Sequence, residues 1–394
     1  MTGISDRFGW REWVDTELDG IRAADRWRAP IATDGTDPRA SLVSFASNDY
    51  LGLSQHPDVV AAAHAALDAS GAGAGSARLV VGSREMHHSL EAELADWKGT
   101  ERAVLFATGY QTNLAVLSTF GGPGTRVVSD ELNHASIIDG CRLSKADVSI
   151  YDHGDVEHAA ALLQDASRTI LVTDSVFSMD GDVAPLDDLA ELARSTGALL
   201  VVDEAHAVLG PDPKWSTDDL AYVRVGTLSK TLGSLGGFVA ASASMCDLLI
   251  NQARPYIFTT ASTPADTAAA RAALTVLLSP EGEALVARLA DHVKRVCPGH
   301  PSPIVPIVLG EEQAALEASA FMADRGLLVP AIRPPTVAVG TSRLRVALSA
   351  SHTDDEIAQL VAALSGLDGL AWGERSEGPH AEGGGRGWGP VREM

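Results

Sequence analysis

From residue 103 onward the chain carries short runs of mostly apolar residues, at Ala103–Ala107, Thr125–Ser129, Thr169–Thr173, Ala198–Val202, Tyr222–Val225 and Gly237–Ala241. Between most of them, at 113–120, 156–165 and 186–195, apolar positions return every three or four residues instead. The runs predict buried strands and the longer period predicts helices. Strands with little polar alternation, joined by helical crossovers, predict a mainly parallel sheet covered on both faces. Functional residues of such sheets gather at the carboxyl ends of the strands, where these runs give way to polar residues or glycine.

Upstream, Trp13, Leu18, Ile21 and Ala24 are spaced for an amphipathic helix within residues 10–30. Ser44–Leu53 reads as a polar turn, and Val59–Leu67 and 87–98 read as helices. Gly71-Ala-Gly-Ala-Gly-Ser76 resembles G-x-G-x-x-G only loosely and follows a helix, so a flexible turn is expected there. His87 and His88 fall on different faces of their helix, which speaks against a metal site. Beyond residue 275, strands at Ser302–Leu309, Leu327–Ile332 and Ser342–Ser349 and helices at Glu311–Asp324 and Asp354–Leu364 predict a smaller α+β unit. The last stretch, 371–394, is rich in glycine and charge with hardly any apolar residue, and reads as a disordered tail. The expected domains are an N-terminal helical segment (1–45), a large α/β domain (46–275), a small α+β domain (276–370) and the tail (371–394).

Composition narrows the function classes. The 394 residues are 45% apolar, enough for a large core. Three cysteines, Cys141, Cys246 and Cys297, are odd in number and never form C-x-x-C, which argues against a disulfide framework or zinc ribbon and for a reducing compartment. The first ten residues lack the apolar core of a signal peptide, and no uncharged run reaches the ~18 residues a membrane helix needs, so no membrane partner is expected and the cytoplasm is. A formal charge of -22 disfavours nucleic acid as a partner.

The candidate chemistry centres on Lys230, one of five lysines, with no other ionisable side chain between Val225 and Val239. Desolvation in such surroundings lowers a lysine pKa and favours the free amine, the form that makes an imine with a carbonyl. A loop lysine reaching out to water fits this stretch equally well. Upstream, Val201-Val-Asp-Glu-Ala-His206 invites two readings. It resembles the Walker B segment of a helicase, but G-x-x-x-x-G-K-[ST] occurs nowhere and no lysine follows a glycine. Pyridoxal phosphate chemistry asks for a lysine, a carboxylate for the pyridine nitrogen and fixed donors for the phosphate and ring oxygen. Lys230, Asp203 placed 27 residues before it, His206 and Thr227 supply these. Singly, Asp203 reads as a helix cap, His206 as a satisfied half-buried histidine and Thr227 as a strand-end hydroxyl; jointly the cofactor reading prevails. Gly109-Tyr110-Gln111-Thr112-Asn113 follows the first strand and opens a helix, a backbone arrangement suited to a phosphate.

Six blocks carry a family resemblance: Ser47–Leu53, Asn133–Ser136, Val176–Gly181, Val202–His206, Thr227–Lys230 and Arg343–Arg345. In order and spacing they resemble the signature of the α-oxoamine synthases, across roughly residues 10–368. That resemblance implies an α/β fold of the fold-type I pyridoxal phosphate transferases, with a large, mainly parallel seven-stranded-type sheet domain and a small C-terminal α+β domain. It implies pyridoxal 5'-phosphate as cofactor, no metal, and a homodimer with active sites at the subunit interface. Lys230 would hold the cofactor and move the Cα proton, Asp203 pair with the pyridine nitrogen, and His134 stack on the ring. Ser178 and His206 would address the phenolic oxygen, Gly109, Tyr110 and Thr227 the phosphate, and Thr259 or Thr260 the partner subunit's phosphate. Arg345 with Asn48 would take the amino-acid carboxylate.

Ala331–Val337 resembles the block of the branch that condenses L-alanine with pimeloyl thioester, releasing CO2, in biotin biosynthesis. Arg333 makes chemical sense there, because a guanidinium can grip the distal carboxylate bidentately; a structural salt bridge is its other reading. By the same resemblance Arg28 and Thr336 belong to the acyl site. The chain departs from the family at Gly73-Ala-Gly-Ser-Ala-Arg78 and in a shortened link after His206 containing Gly210-Pro-Asp-Pro-Lys-Trp215. Coenzyme A and an acyl carrier protein therefore both stay open as the carrier. The alternatives are another member such as a glycine C-acetyltransferase and, outside catalysis, a pyridoxal phosphate-binding regulator.

Overall fold

A computed structural model describes residues 9–24, 26–28, 30, 38–163, 168–216 and 219–367. Its core is a seven-stranded sheet of β1 (Arg102–Phe106), β2 (Arg126–Asp130), β3 (Asp147–Tyr151), β4 (Thr169–Asp174), β5 (Leu199–Asp203), β6 (Tyr222–Thr227) and β7 (Gly237–Ala241). The strands lie in the order β1-β7-β6-β5-β4-β2-β3, and only β7 runs antiparallel to its neighbours. The mainly parallel sheet expected from the apolar runs is present. Its third strand was not among those expected, because Asp147–Tyr151 is an edge strand buried fully only at Tyr151 and needs no apolar run.

Both faces are covered. Val127, Val172, Val201, Val225 and Val239 point to one face, where they pack with Ala115, Val116 and Leu117 of the helix Gly109–Phe120. Val128, Leu171, Leu200 and Val202 point to the other, against Leu189, Ala190 and Ala193 of the helix Leu186–Thr196. Each valine or leucine among them contributes about 1.5–3 kcal/mol through burial. A buried ion pair is set into the sheet: Arg224 on β6 is fully buried, with Nε 2.6 Å from Glu204, whose other oxygen lies 2.8 Å from Lys98 Nζ. Opposite charges and hydrogen bonds are what make such burial tolerable.

Two compact units emerge, and they differ from the expected domains. One unit joins Phe45–Pro306 to Arg345–Ser365 and contains the sheet. Residues 276–306 fall here rather than with the small domain, since Pro264–Leu277 packs on Pro57–Ser70 and Glu85–Lys98 and carries Pro280–Val296 with it. The other unit contains the described residues up to Ser44 together with Ile307–Leu344 and the end of the last helix. The N-terminal segment belongs to it because Val43–Ser44 pairs in parallel with Leu327–Leu328, and Arg26 bonds Glu312 at 2.9 Å.

The first helix is shorter than expected, spanning Trp10–Ala23. The single strand expected over Leu327–Ile332 is two: Leu327–Leu328 pairs with Val43–Ser44, while Ala331–Ile332 pairs antiparallel with Leu344 and Arg343. Pro330 stands between the two pieces. The tail over 371–394 lies outside the described residues. Among the described residues no helix is long and apolar enough to cross a membrane.

Candidate active site

The carboxyl ends of β5 and β6 build the centre. Asp203 ends β5 and Lys230 lies three residues beyond the end of β6, so parallel pairing brings both to one edge of the sheet. Asp203 is buried, and its carboxylate accepts from Asn113 Nδ2 at 2.6 Å and from the Ala205 amide at 2.9 Å. Asn113 also donates to Ser136 Oγ at 2.9 Å, and Ser136 lies 2.7 Å from His134 Nδ1. Asp174 is the register partner of Asp203 on β4 and accepts from the His134 amide at 2.8 Å. Burial and the neighbouring Asp203 charge raise the Asp174 pKa well above the ordinary carboxylate range.

His206, two residues beyond the start of the turn after β5, faces Lys230 with Nε2 2.9 Å from Nζ. Burial, then the Lys230 and Arg345 charges, depress its pKa far below 6.5, so the ring is neutral. The buried Tyr50 hydroxyl lies 2.6 Å from His206 Nδ1 and 3.2 Å from Asn48 Oδ1. Burial pushes the Tyr50 pKa up to about 12 against the opposing pull of Arg345, which keeps the phenol protonated. The Tyr50 hydroxyl donates to Asn48 Oδ1 and accepts from His206 Nδ1–H, which leaves the Nε2 lone pair directed at Lys230 Nζ. Burial lowers the Lys230 pKa, partly offset by Asp203 and Asp174, and so favours the free amine.

A second cluster adjoins the first. Arg345 Nη2 donates to Asn48 Oδ1 at 3.1 Å and Nε to the Ser178 carbonyl at 2.6 Å. Ser178 thus enters through its main chain, an arrangement the sequence did not indicate. The loop carrying Asn48 and Tyr50 is fixed by Asp49, whose carboxylate accepts from the Leu53 and Ser54 amides at 2.9 and 3.1 Å.

The helix Gly109–Phe120 begins beside the end of β6. Thr108 caps it by accepting from the Gln111 amide at 3.2 Å. A Cβ on Gly109 would meet Thr227 Cβ at 3.2 Å, and one on Gly237 would meet Gly109 N at 2.7 Å. Only glycines allow this approach, which sets the first-turn N–H groups beside the Thr227 hydroxyl as an anion cradle. Thr227 Oγ1 lies 2.7 Å from Ser229 Oγ. The Tyr110 ring meets His134 edge to face at 6.2 Å.

Lys230, Asp203, His206, His134, Asn48, Arg345, Ser178, Gly109, Tyr110 and Thr227 therefore sit in one unit around one sheet edge. Thr259 and Thr260 do not join them; they line a separate cleft with Arg78 and Tyr256, and Thr260 bridges to Ala77. Arg28, Arg333 and Thr336 belong to the other unit. There Arg28 reaches Thr336 Oγ1 at 3.4 Å, and Glu312, bonded by Arg26, has its pKa lowered by Arg26 and further by Arg333. Sequence reasoning missed Tyr50, Asn113 and Asp174. Tyr50 lay inside a block already singled out, and Asp174 ends the strand next to that of Asp203, the only signals available for them.

These features define a fold-type I pyridoxal phosphate transferase architecture, and the chain belongs to the aminotransferase class I and II family, whose model matches residues 40–364. Within it, the chain is similar to the 8-amino-7-oxononanoate synthase of Anaeromyxobacter dehalogenans, at 45% identity over 389 residues, covering 91% of this chain and 96% of that protein. Among solved structures it resembles SPT with a PLP internal aldimine, with TM-score 0.81, 27% identity, and 92% and 98% of the two chains covered. It also resembles the 8-amino-7-oxononanoate synthase of Francisella tularensis, with TM-score 0.71, 27% identity, and 84% and 98% covered.

Proposed function

We propose that this protein condenses L-alanine with a pimeloyl thioester, with loss of CO2, to give 8-amino-7-oxononanoate in biotin biosynthesis. The observation that carries the reading is the Asp203–His206–Lys230 constellation at two neighbouring strand ends, in a chain 45% identical to an 8-amino-7-oxononanoate synthase. The residues fit pyridoxal phosphate: a glycine-built anion cradle, a buried carboxylate and a desolvated amine are its three requirements. When bound, the cofactor supplies an electron sink for a carbanion at the amino-acid Cα.

The chain's residues do the rest. Lys230 would hold the cofactor carbonyl carbon and, once released, its amine is the base for the Cα proton. His206 orients that amine by accepting from it at Nε2, and Tyr50 fixes the tautomer. Asp203, held by Asn113, would keep the cofactor's pyridine nitrogen protonated. His134 would lie against the ring, with Gly109, Tyr110 and Thr227 at the phosphate. Arg345, itself oriented by Asn48 and the Ser178 carbonyl, receives the alanine carboxylate. Arg333, with Arg28 and Thr336, grips the distal carboxylate of the pimeloyl chain. A homodimer, in which Thr259 or Thr260 completes the partner subunit's phosphate site, and a cytoplasmic setting are part of the same reading.

A second reading has one observation in its favour: the fold matches SPT, at TM-score 0.81, more closely than it matches the synthase structure, at 0.71. The test is to offer alanine, glycine and serine against acetyl, pimeloyl and palmitoyl thioesters and identify products by mass. The proposal expects product from alanine with the pimeloyl donor. Turnover of serine with the palmitoyl donor alone would favour the second reading.

A further inference from the structure

His153 lies outside every block that the resemblance singled out, yet it touches two loops of the site. It follows β3, and its Nδ1 is 3.0 Å from Asp130 while its Nε2 is 2.6 Å from Asp182. Both acceptors are carboxylates, so both ring nitrogens must donate, and the bridge is an imidazolium between two anions. Its ring also stands edge-on against the buried Phe177, with centroids 4.3 Å apart.

Each carboxylate anchors a different loop. Asp130 ends β2, and its side chain also accepts from the Leu132 and Gly154 amides at 2.9 and 3.0 Å, which sets the turn that carries His134. Asp182 belongs to the loop after β4, where its carbonyl accepts from the Phe177 amide at 3.0 Å and closes the turn that carries Ser178. The first loop presents His134; the second presents the carbonyl that orients Arg345.

We propose that His153 is a positioning residue that fixes the His134 loop and the Ser178 loop to one another, and through them sets affinity for both the cofactor and the amino acid. The inference rests on the functional reading above for what those two loops bind. The structure also separates the two halves of the bridge. Loss of the Asp182 contact frees only the Ser178 loop, which keeps a second anchor: a Cβ on Gly181 would meet the Ile304 carbonyl at 2.0 Å, so that loop stays pressed against Ile304. Loss of His153 frees both.

The test uses the full chain with three readouts: pyridoxal phosphate affinity of the apoenzyme by quenching of tryptophan fluorescence, KM for alanine, and KM for pimeloyl thioester. His153→Ala should weaken cofactor affinity and raise KM for alanine by about tenfold each, with KM for the thioester unchanged. Asp182→Asn, the milder variant, should raise KM for alanine while leaving cofactor affinity within about twofold. In the double variant His153→Ala/Asp182→Asn, the alanine effect should be no larger than in His153→Ala, because both act through one contact. A folded Asp182→Asn with unchanged KM for alanine, additive effects in the double variant, or an equal rise in KM for the thioester would each overturn the proposal. If the wild-type protein binds the cofactor but turns over no alanine, the functional reading fails while the cofactor-affinity arm still judges His153.

Discussion

Tyr50→Phe isolates one proton in the site. The substitution keeps the buried ring and its packing and removes only the hydroxyl that lies 2.6 Å from His206 Nδ1. A buried N–H left without its acceptor costs about 1–3 kcal/mol. With the Nδ1–H unsatisfied, the imidazole gains a competing tautomer whose proton sits on Nε2 and which no longer accepts from Lys230. The fraction of enzyme with an Nε2 lone pair directed at Lys230 should fall accordingly, so kcat/KM for alanine should drop about five- to 150-fold. Steady-state kinetics at saturating pimeloyl thioester measures this, with thermal melting as the control for folding. KM for the thioester should not move, since the hydroxyl belongs to the amino-acid end. A Tyr50→Phe enzyme within twofold of wild type, or one whose loss appears only as a lower Tm, would refute the assignment of that proton.

Arg333→Ala should lose about ten- to hundredfold in kcat/KM with pimeloyl thioester, the worth of one charge-assisted hydrogen bond, yet change little with an uncharged acyl chain of similar length; an equal loss with both donors would make the arginine structural. Arg345→Ala should behave in the opposite way, raising KM for alanine whichever acyl donor is used, and unchanged alanine binding would contradict its role. His153 gives a pH prediction. Burial disfavours its charged form, but the bonds to Asp130 and Asp182 prevail and raise its pKa from 6.5 to about 10. A pKa raised in the folded state contributes stability that is fully present below 6.5 and is lost as pH rises through 10. The gap in Tm between wild type and His153→Ala should therefore be widest near neutral or lower pH and narrow toward pH 10, and a gap that widens with pH would contradict the bridging imidazolium.

What was legible in the sequence follows from how far each signal reaches along the chain. Asp203 and Lys230 end or follow adjacent apolar runs, so their meeting at one sheet edge could be read from two strands and one crossover. The sheet was legible for the same reason, except Asp147–Tyr151, whose exposed edge position leaves no apolar run. Tyr50 and Asn113 were not legible as partners, because the contacts they make, to His206 and Asp203, span 156 and 90 residues and no local pattern encodes them. The two units divide near 306 rather than at the expected 275 for a related reason. No local pattern shows that Pro264–Leu277 rests on Pro57–Ser70.

The claim on which all else depends is that Lys230 bonds the cofactor. Reducing the purified protein with borohydride after addition of pyridoxal phosphate, digesting it and sequencing the labelled peptide tests this directly. The account predicts the cofactor on Lys230, within Tyr222–Gly237, and no covalent label in Lys230→Ala. A label on Lys98, Lys145, Lys214 or Lys294 instead, or full turnover by Lys230→Ala, would contradict it.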